Sequence, residues 1–238
     1  MHHEHTPAAI RERLAKGPRN SYLRDFIYGG IDGAVTTFAI VSGVVGAHLS
    51  SGIVLILGFA NLLADGFSMA AANYSGTRAE RHELDLLREI EKRQVREHPE
   101  GEREEIRQIY ALKGFSGAEL ETIVARISED EDLWVRTMLQ EEYGLAPEVR
   151  SPRLAAASTF AAFVICGAVP LVPFALRLED AALASLASTL AVFFAIGSAK
   201  SRWSLIPWWK SGLETLFIGS AAAAIAYGVG VLLGGLGG

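Results

Sequence analysis

Apolar and polar positions in this chain are not mixed at the scale of a turn or a strand; they are sorted into long blocks. Residues 26–48, 53–77, 154–176, 181–199 and 215–238 are each nearly free of charge over their whole length. About 18 or more such residues are long enough to cross the hydrocarbon core of a bilayer as a helix. The last three stretches contain no charged residue, 26–48 contains Asp32, and 53–77 contains Asp65 together with Asn61 and Asn73. Between the second and third stretches the pattern turns to dense Glu, Arg and Leu. That region predicts a helix over 78–97 continuing the second span, a break at Pro99, and a second helix over 100–113 stopped by Gly114. Ser116 with Glu119 and Ser128 with Glu131 predict capping boxes for two more helices, the last ended by Gly144 and Pro147. The apolar positions Ile106, Ile109, Tyr110, Leu112, Phe115, Leu120, Ile123, Val124, Ile127, Leu133, Val135 and Leu139 supply only a small core. The expected architecture is all-α: a polytopic membrane protein with five transmembrane helices and a helical domain inserted between helices 2 and 3. Its parts are an N-terminal segment 1–25, spans one and two in 26–77, the charged domain in 78–150, and spans three to five in 151–238.

Charge sharpens this division. Residues 78–153 hold 13 Lys/Arg and 19 Asp/Glu, 32 of the 49 charges in 76 of the 238 positions. A single water-soluble core does not sort its charges this way. The one cysteine, Cys166, lies in an apolar run, which excludes a disulfide scaffold. A net charge of −5 gives no reason to expect nucleic acid as a partner. The first apolar run is too long and starts too late for a signal peptide. Basic residues near span ends set orientation. Arg11, Arg13, Lys16, Arg19 and Arg24 precede the first span, and none lies in the turn at 48–52. Arg177 alone separates spans three and four, and Lys200, Arg202 and Lys210 precede the fifth. The N-terminus and the charged domain are expected in the cytoplasm and the C-terminus outside. Trp203, Trp208 and Trp209 stand where an interfacial aromatic belt would lie.

Most of the charged domain's acids read as a solvated face. Glu102 and Glu105, one turn apart, share a side of their helix, and the Pro99 break can fold Glu91 back beside them. Met138, Glu141 and Glu142 form a further cluster. Converging carboxylates repel unless a cation sits among them, and oxygen ligands with a thioether suit Fe²⁺ or Mn²⁺ better than Zn²⁺. Inside the spans, ionisable residues mark ion pathways or proton relays more often than elsewhere. Asp32 lies in Gly29-Gly30-Ile31-Asp32-Gly33, and Met69 lies one turn beyond Asp65. Pro170 and Pro173 predict a kink in the third span.

The segment Tyr28-Gly29-Gly30-Ile31-Asp32-Gly33-Ala34-Val35-Thr36-Thr37, followed by Leu63-Ala64-Asp65-Gly66-Phe67-Ser68-Met69-Ala70, resembles the vacuolar iron transporter family. The run over 102–114 and Met138-Leu139-Gln140-Glu141-Glu142-Tyr143-Gly144-Leu145 resemble its bacterial members. The resemblance implies a five-span homodimer in the bacterial inner membrane that exports Fe²⁺, and often Mn²⁺, from the cytosol in exchange for protons. It implies that Asp32 and Met69, with Asp65 beside them, line a path at the dimer interface. It also implies that Glu91, Glu102, Glu105, Met138 and Glu142 collect metal in the charged domain. Gln94 and Leu139 depart from the pattern, removing one charged and one soft ligand. No tightly bound cofactor is expected, the metal being the cargo; the partners are metal ions, protons and lipids.

From the residues alone a second class stays open, a membrane-anchored divalent-metal sensor or buffer whose spans only tether the charged domain. A di-iron oxidase would use Glu-x-x-His pairs, but Ala79 and Val95 stand three residues before His82 and His98, so no enzymatic activity is expected. His2, His3 and His5 read as an N-terminal tail.

Overall fold

The computed structural model of the chain describes residues 5–16, 21–145 and 150–234. His2, His3, Arg19, Pro147 and positions 235–238 of the expected fifth span lie outside the described residues. Secondary structure among the described residues is helical: α1 Pro7–Lys16, α2 Leu23–Gly46, α3 Ser51–Glu97, α4 Pro99–Leu112, α5 Gly117–Ser128, α6 Glu131–Glu141, α7 Pro152–Ala168, α8 Val172–Ala175, α9 Ala181–Lys200 and α10 Trp208–Gly234. Five of these segments are long and apolar enough to cross a membrane: α2, α3, Pro152–Ala175, α9 and α10. The chain divides into two compact units, Met1–Asn73 with Arg153–Gly238, and Tyr74–Pro152.

The first unit is a bundle of the apolar helices, held close by small residues. A Cβ at Gly33 would stand 2.4 Å from the Phe163 carbonyl oxygen, so only glycine lets α2 and α7 approach this far. Gly29 meets Thr159 at the same offset, so the two helices run parallel. Gly230 against Gly43 and Gly234 against Ala47 make α10 parallel to α2, while Gly197 against Ser211 and Gly219 against Phe193 make α9 antiparallel to α10. Hydrogen bonds from Asn73 to Asp25 and from Asn61 to Thr36 show α3 antiparallel to α2. Helix direction therefore alternates along the chain, as successive crossings require. The apolar centre includes Phe38, Val41, Leu62, Phe163, Leu171 and Phe193.

The third span breaks at its prolines. A tight turn over Val169–Leu171 separates α7 from α8, and the Ser185 hydroxyl donates to the Pro170 carbonyl at 2.7 Å. The fifth helix starts at Trp208, well before the expected Thr215. Glu214 does not stop it; its carboxylate turns to Lys200 Nζ at 3.5 Å and leaves the backbone ladder intact.

In the second unit the last part of α3 packs with α4, α5 and α6 around Leu84, Val95, Ile106, Leu120, Val124, Ile127, Trp134, Val135, Met138 and Leu139. Leu112 is not in this core but 90 % exposed. At about 3.6 residues per turn, six positions from Ile106 put it about 120° round α4, off the packed stripe. Ser116 occupies the N-cap of α5 without a side-chain hydrogen bond. The second expected capping box does not form. Ser128 closes α5, its hydroxyl donating to the Val124 carbonyl, and Asp130 caps α6 instead, Oδ1 accepting from the N–H groups of Asp132 and Leu133 at 3.0 and 3.2 Å. A carboxylate at this position accepts these bonds with its full charge and also meets the positive helix end.

Candidate metal path and metal-collecting cluster

Polar groups of the spans pair in a ladder between α2 and α3. At one level Asn73 Nδ2 donates to Asp25 Oδ1 at 3.1 Å and to Thr159 Oγ1 of α7 at 2.7 Å. At the next, the same antiparallel register sets half-buried Asp32 of α2 opposite half-buried Asp65 of α3. One turn further, Asn61 Nδ2 meets Thr36 Oγ1 at 3.4 Å, and Thr36 donates to the Asp32 carbonyl at 2.8 Å. The antiparallel register of two helices thus brings together residues 48, 33 and 25 positions apart in sequence. Met69 is partly buried against the apolar centre, one turn along α3 from Asp65. Asp25, only 6 % exposed, was missed as a polar-ladder residue because it sits just outside the apolar run. The available signal was its spacing of seven from Asp32, which places both on one helix face.

The charged unit sorts its acids into two kinds. Many are in ion pairs on the surface: Arg107 with Glu104 and Glu121, Arg96 with Glu131, Lys113 with Glu141, and Lys92 with Glu89. Among the described residues no lysine or arginine pairs with Glu91, Glu102, Glu105 or Glu142. Glu91 on α3 and Glu102 on α4 are 1 % and 4 % exposed, whereas Glu105 and Glu142 face solvent. Glu91 Oε1 accepts from the Tyr143 hydroxyl at 2.9 Å. Glu91 Oε2, Glu102 Oε2 and the Gln94 side-chain oxygen are buried without a hydrogen-bond partner. Buried oxygens are normally satisfied, so these three orphans of α3 and α4 are acceptors that a cation would satisfy.

The electrostatics agree. Burial, with Glu105, Glu91 and Glu142 nearby, pushes the Glu102 carboxyl up to about 7. Burial raises Glu91, partly offset by the Tyr143 hydrogen bond, and Glu105 raises it further. Glu142 is raised by burial and by the charges of Glu91 and Glu105. These four carboxylates therefore feel one another, although among the described residues no three His, Cys, Asp or Glu side chains close into a finished metal cage. Met138 is fully buried and belongs to the apolar core of this unit, beside Leu139. Tyr143 escaped the reading of the charged domain; no periodicity announces a residue whose role depends on the turn after α6. There Gly144, at φ +65°, and the bond from Leu145 N–H to the Leu139 carbonyl hold it in place.

Residues 23–231 match the family model described as the VIT family. The chain is similar to the vacuolar iron transporter of Toxoplasma gondii, 33 % identical over 226 residues, covering 90 % of this chain and 75 % of that protein. It is also 33 % identical over 210 residues to vacuolar iron transporter 1 of Arabidopsis thaliana, covering 86 % and 83 % of the two chains. With vacuolar iron transporter 2 of Oryza sativa subsp. japonica it shares 32 % over 212 residues, covering 87 % and 85 %.

Proposed function

The chain belongs to the VIT family, and we propose that it moves Fe²⁺, with Mn²⁺ as a second cargo, out of the cytosol in exchange for protons. It is an integral membrane protein and transports iron across a membrane, the activity named in its relatives. Asp32, Asp65 and Met69 line the path, and Glu91, Glu102, Glu105, Met138 and Glu142 collect the ion in the charged unit. The N-terminus and that unit face the cytoplasm, the C-terminus faces out, and the working form is a homodimer in the inner membrane of a bacterial cell.

The observation that carries the exchange reading is the α2–α3 register that sets Asp32 opposite Asp65 among apolar helices. Two carboxylates held together in such surroundings are relieved by a proton or by a divalent cation. Occupation by one expels the other, which is the elementary step of exchange. In the charged unit the same competition loads the cargo: deprotonated Glu91 and Glu102 offer their unpartnered oxygens, and exposed Glu105 and Glu142 swing in to complete the set. Met138 contributes its thioether only if a core rotamer turns outward, so its part in binding is secondary to the carboxylates.

Purified protein in liposomes, loaded with Fe²⁺ under an imposed pH gradient, tests this. Wild-type protein should move metal against the proton flow, and Asp32→Ala should abolish flux while leaving the folded protein intact. Undiminished flux through Asp32→Ala overturns the path. Metal binding without any flux in the wild type would return the protein to the sensor or buffer class.

A further inference from the structure

The Tyr143 hydroxyl occupies one oxygen of Glu91 and leaves the other bare. Oε1 accepts at 2.9 Å while Oε2 is buried and unpartnered, on a side chain only 1 % exposed. A symmetric two-oxygen chelate would make Oε1 serve the ion and the tyrosine hydroxyl at once, which weakens it as a ligand. One-oxygen ligation through Oε2 keeps the tyrosine's hydrogen bond.

This distinction matters for ion choice. Ca²⁺ takes six to eight oxygens at long distances and gains from two-oxygen carboxylate chelation. Compact octahedral cations are satisfied by fewer and closer oxygens. We propose that Tyr143 is a positioning residue that sets the cation selectivity of the charged unit, biasing Glu91 toward one-oxygen ligation through its bare Oε2 and so favouring first-row divalent ions over Ca²⁺. This rests on the reading of that unit as a metal collector. Tyr143 is held for the role by the left-handed Gly144 and the Leu145–Leu139 backbone bond, which fix the turn after α6.

The test uses the full-length protein in detergent, with Co²⁺ and Ca²⁺ as separate probes in calorimetric titrations. Loss of an outer-shell partner typically weakens metal affinity about 10–100-fold. Tyr143→Phe should therefore weaken Co²⁺ by roughly tenfold while Ca²⁺ holds or tightens, so the Co²⁺/Ca²⁺ preference falls by about the same factor. In a Glu91→Gln background the added Tyr143→Phe change should leave that ratio alone. Equal weakening of both ions, or an unchanged ratio in the single variant, overturns the proposal. If Tyr143→Phe does not fold, infrared difference spectra of wild type against Glu91→Gln decide it. Co²⁺ loading should widen the splitting of the Glu91 carboxylate stretches, the mark of one-oxygen ligation, and a narrowed splitting overturns it. Failure of the wild type to bind Co²⁺ at all would overturn the collector reading itself, and the proposal with it.

Discussion

Glu102→Gln should make the empty charged unit more stable at alkaline pH, although it deletes a charged residue from an otherwise well-made helix. Burial and three neighbouring acids hold the Glu102 carboxyl at about 7, against an ordinary 4.5. The unfolded chain loses this proton first, so the folded state binds more protons between those values and stability falls as pH rises. Below about 4.5 the penalty is absent; it builds through the interval to about 7 and is constant above. At about 1.4 kcal/mol per pKa unit, the penalty is about 3–4 kcal/mol at most. Glu102 is only 4 % exposed, so solvent screening removes little of it. Glutamine keeps the shape and abolishes the charge. Hydrogen exchange of α4 and α6 peptides in full-length protein, corrected for intrinsic rates, reads the effect within this unit. Without metal, Glu102→Gln should be better protected than wild type at pH 8 and no better protected at pH 4. Saturating Mn²⁺ should narrow the difference by stabilising the wild type alone. Equal protection of the two proteins at pH 8 without metal would refute the argument.

The same group makes cargo binding pH-dependent. Mn²⁺ affinity should fall by up to about tenfold per unit as pH drops below about 7, with buffer-dependent heats showing proton release; a flat profile from pH 7.5 to 6 contradicts it. Gly33→Ala places a Cβ 2.4 Å from the Phe163 carbonyl oxygen, which is backbone and does not yield. It should cost about 1–3 kcal/mol or more in a thermal melt, as overpacking does. Gly76→Ala meets open space within a helix and should be neutral or stabilising by up to about 1 kcal/mol, making it the matched control. Asp130→Ala removes both cap bonds at the start of α6 and should lower the stability of the charged unit by about 1 kcal/mol, whereas Ser128→Ala should cost clearly less.

The five long apolar helices were legible before any folding, because crossing a bilayer is a requirement on length and composition that a local window displays. So was the helix break at Pro99, which follows from one residue's missing N–H. Ends were less legible: the fifth helix begins at Trp208 because a charged side chain near an interface can turn to Lys200 without breaking its helix. The cap of α6 depended on which of two neighbouring acceptors reached the free N–H groups, and Asp130 prevailed over Ser128. Only the tertiary structure set Asp32 opposite Asp65, bound Asn73 to Asp25 and Thr159, and set Glu91 against Tyr143. Those pairings join residues tens of positions apart, and helix register, not local pattern, decides them. Spacing could group Glu91 with Glu102 and Glu105, but only tertiary packing showed which acids are buried: Glu91 and Glu102 keep bare oxygens, while Glu121, Glu131 and Glu141 went to arginine and lysine.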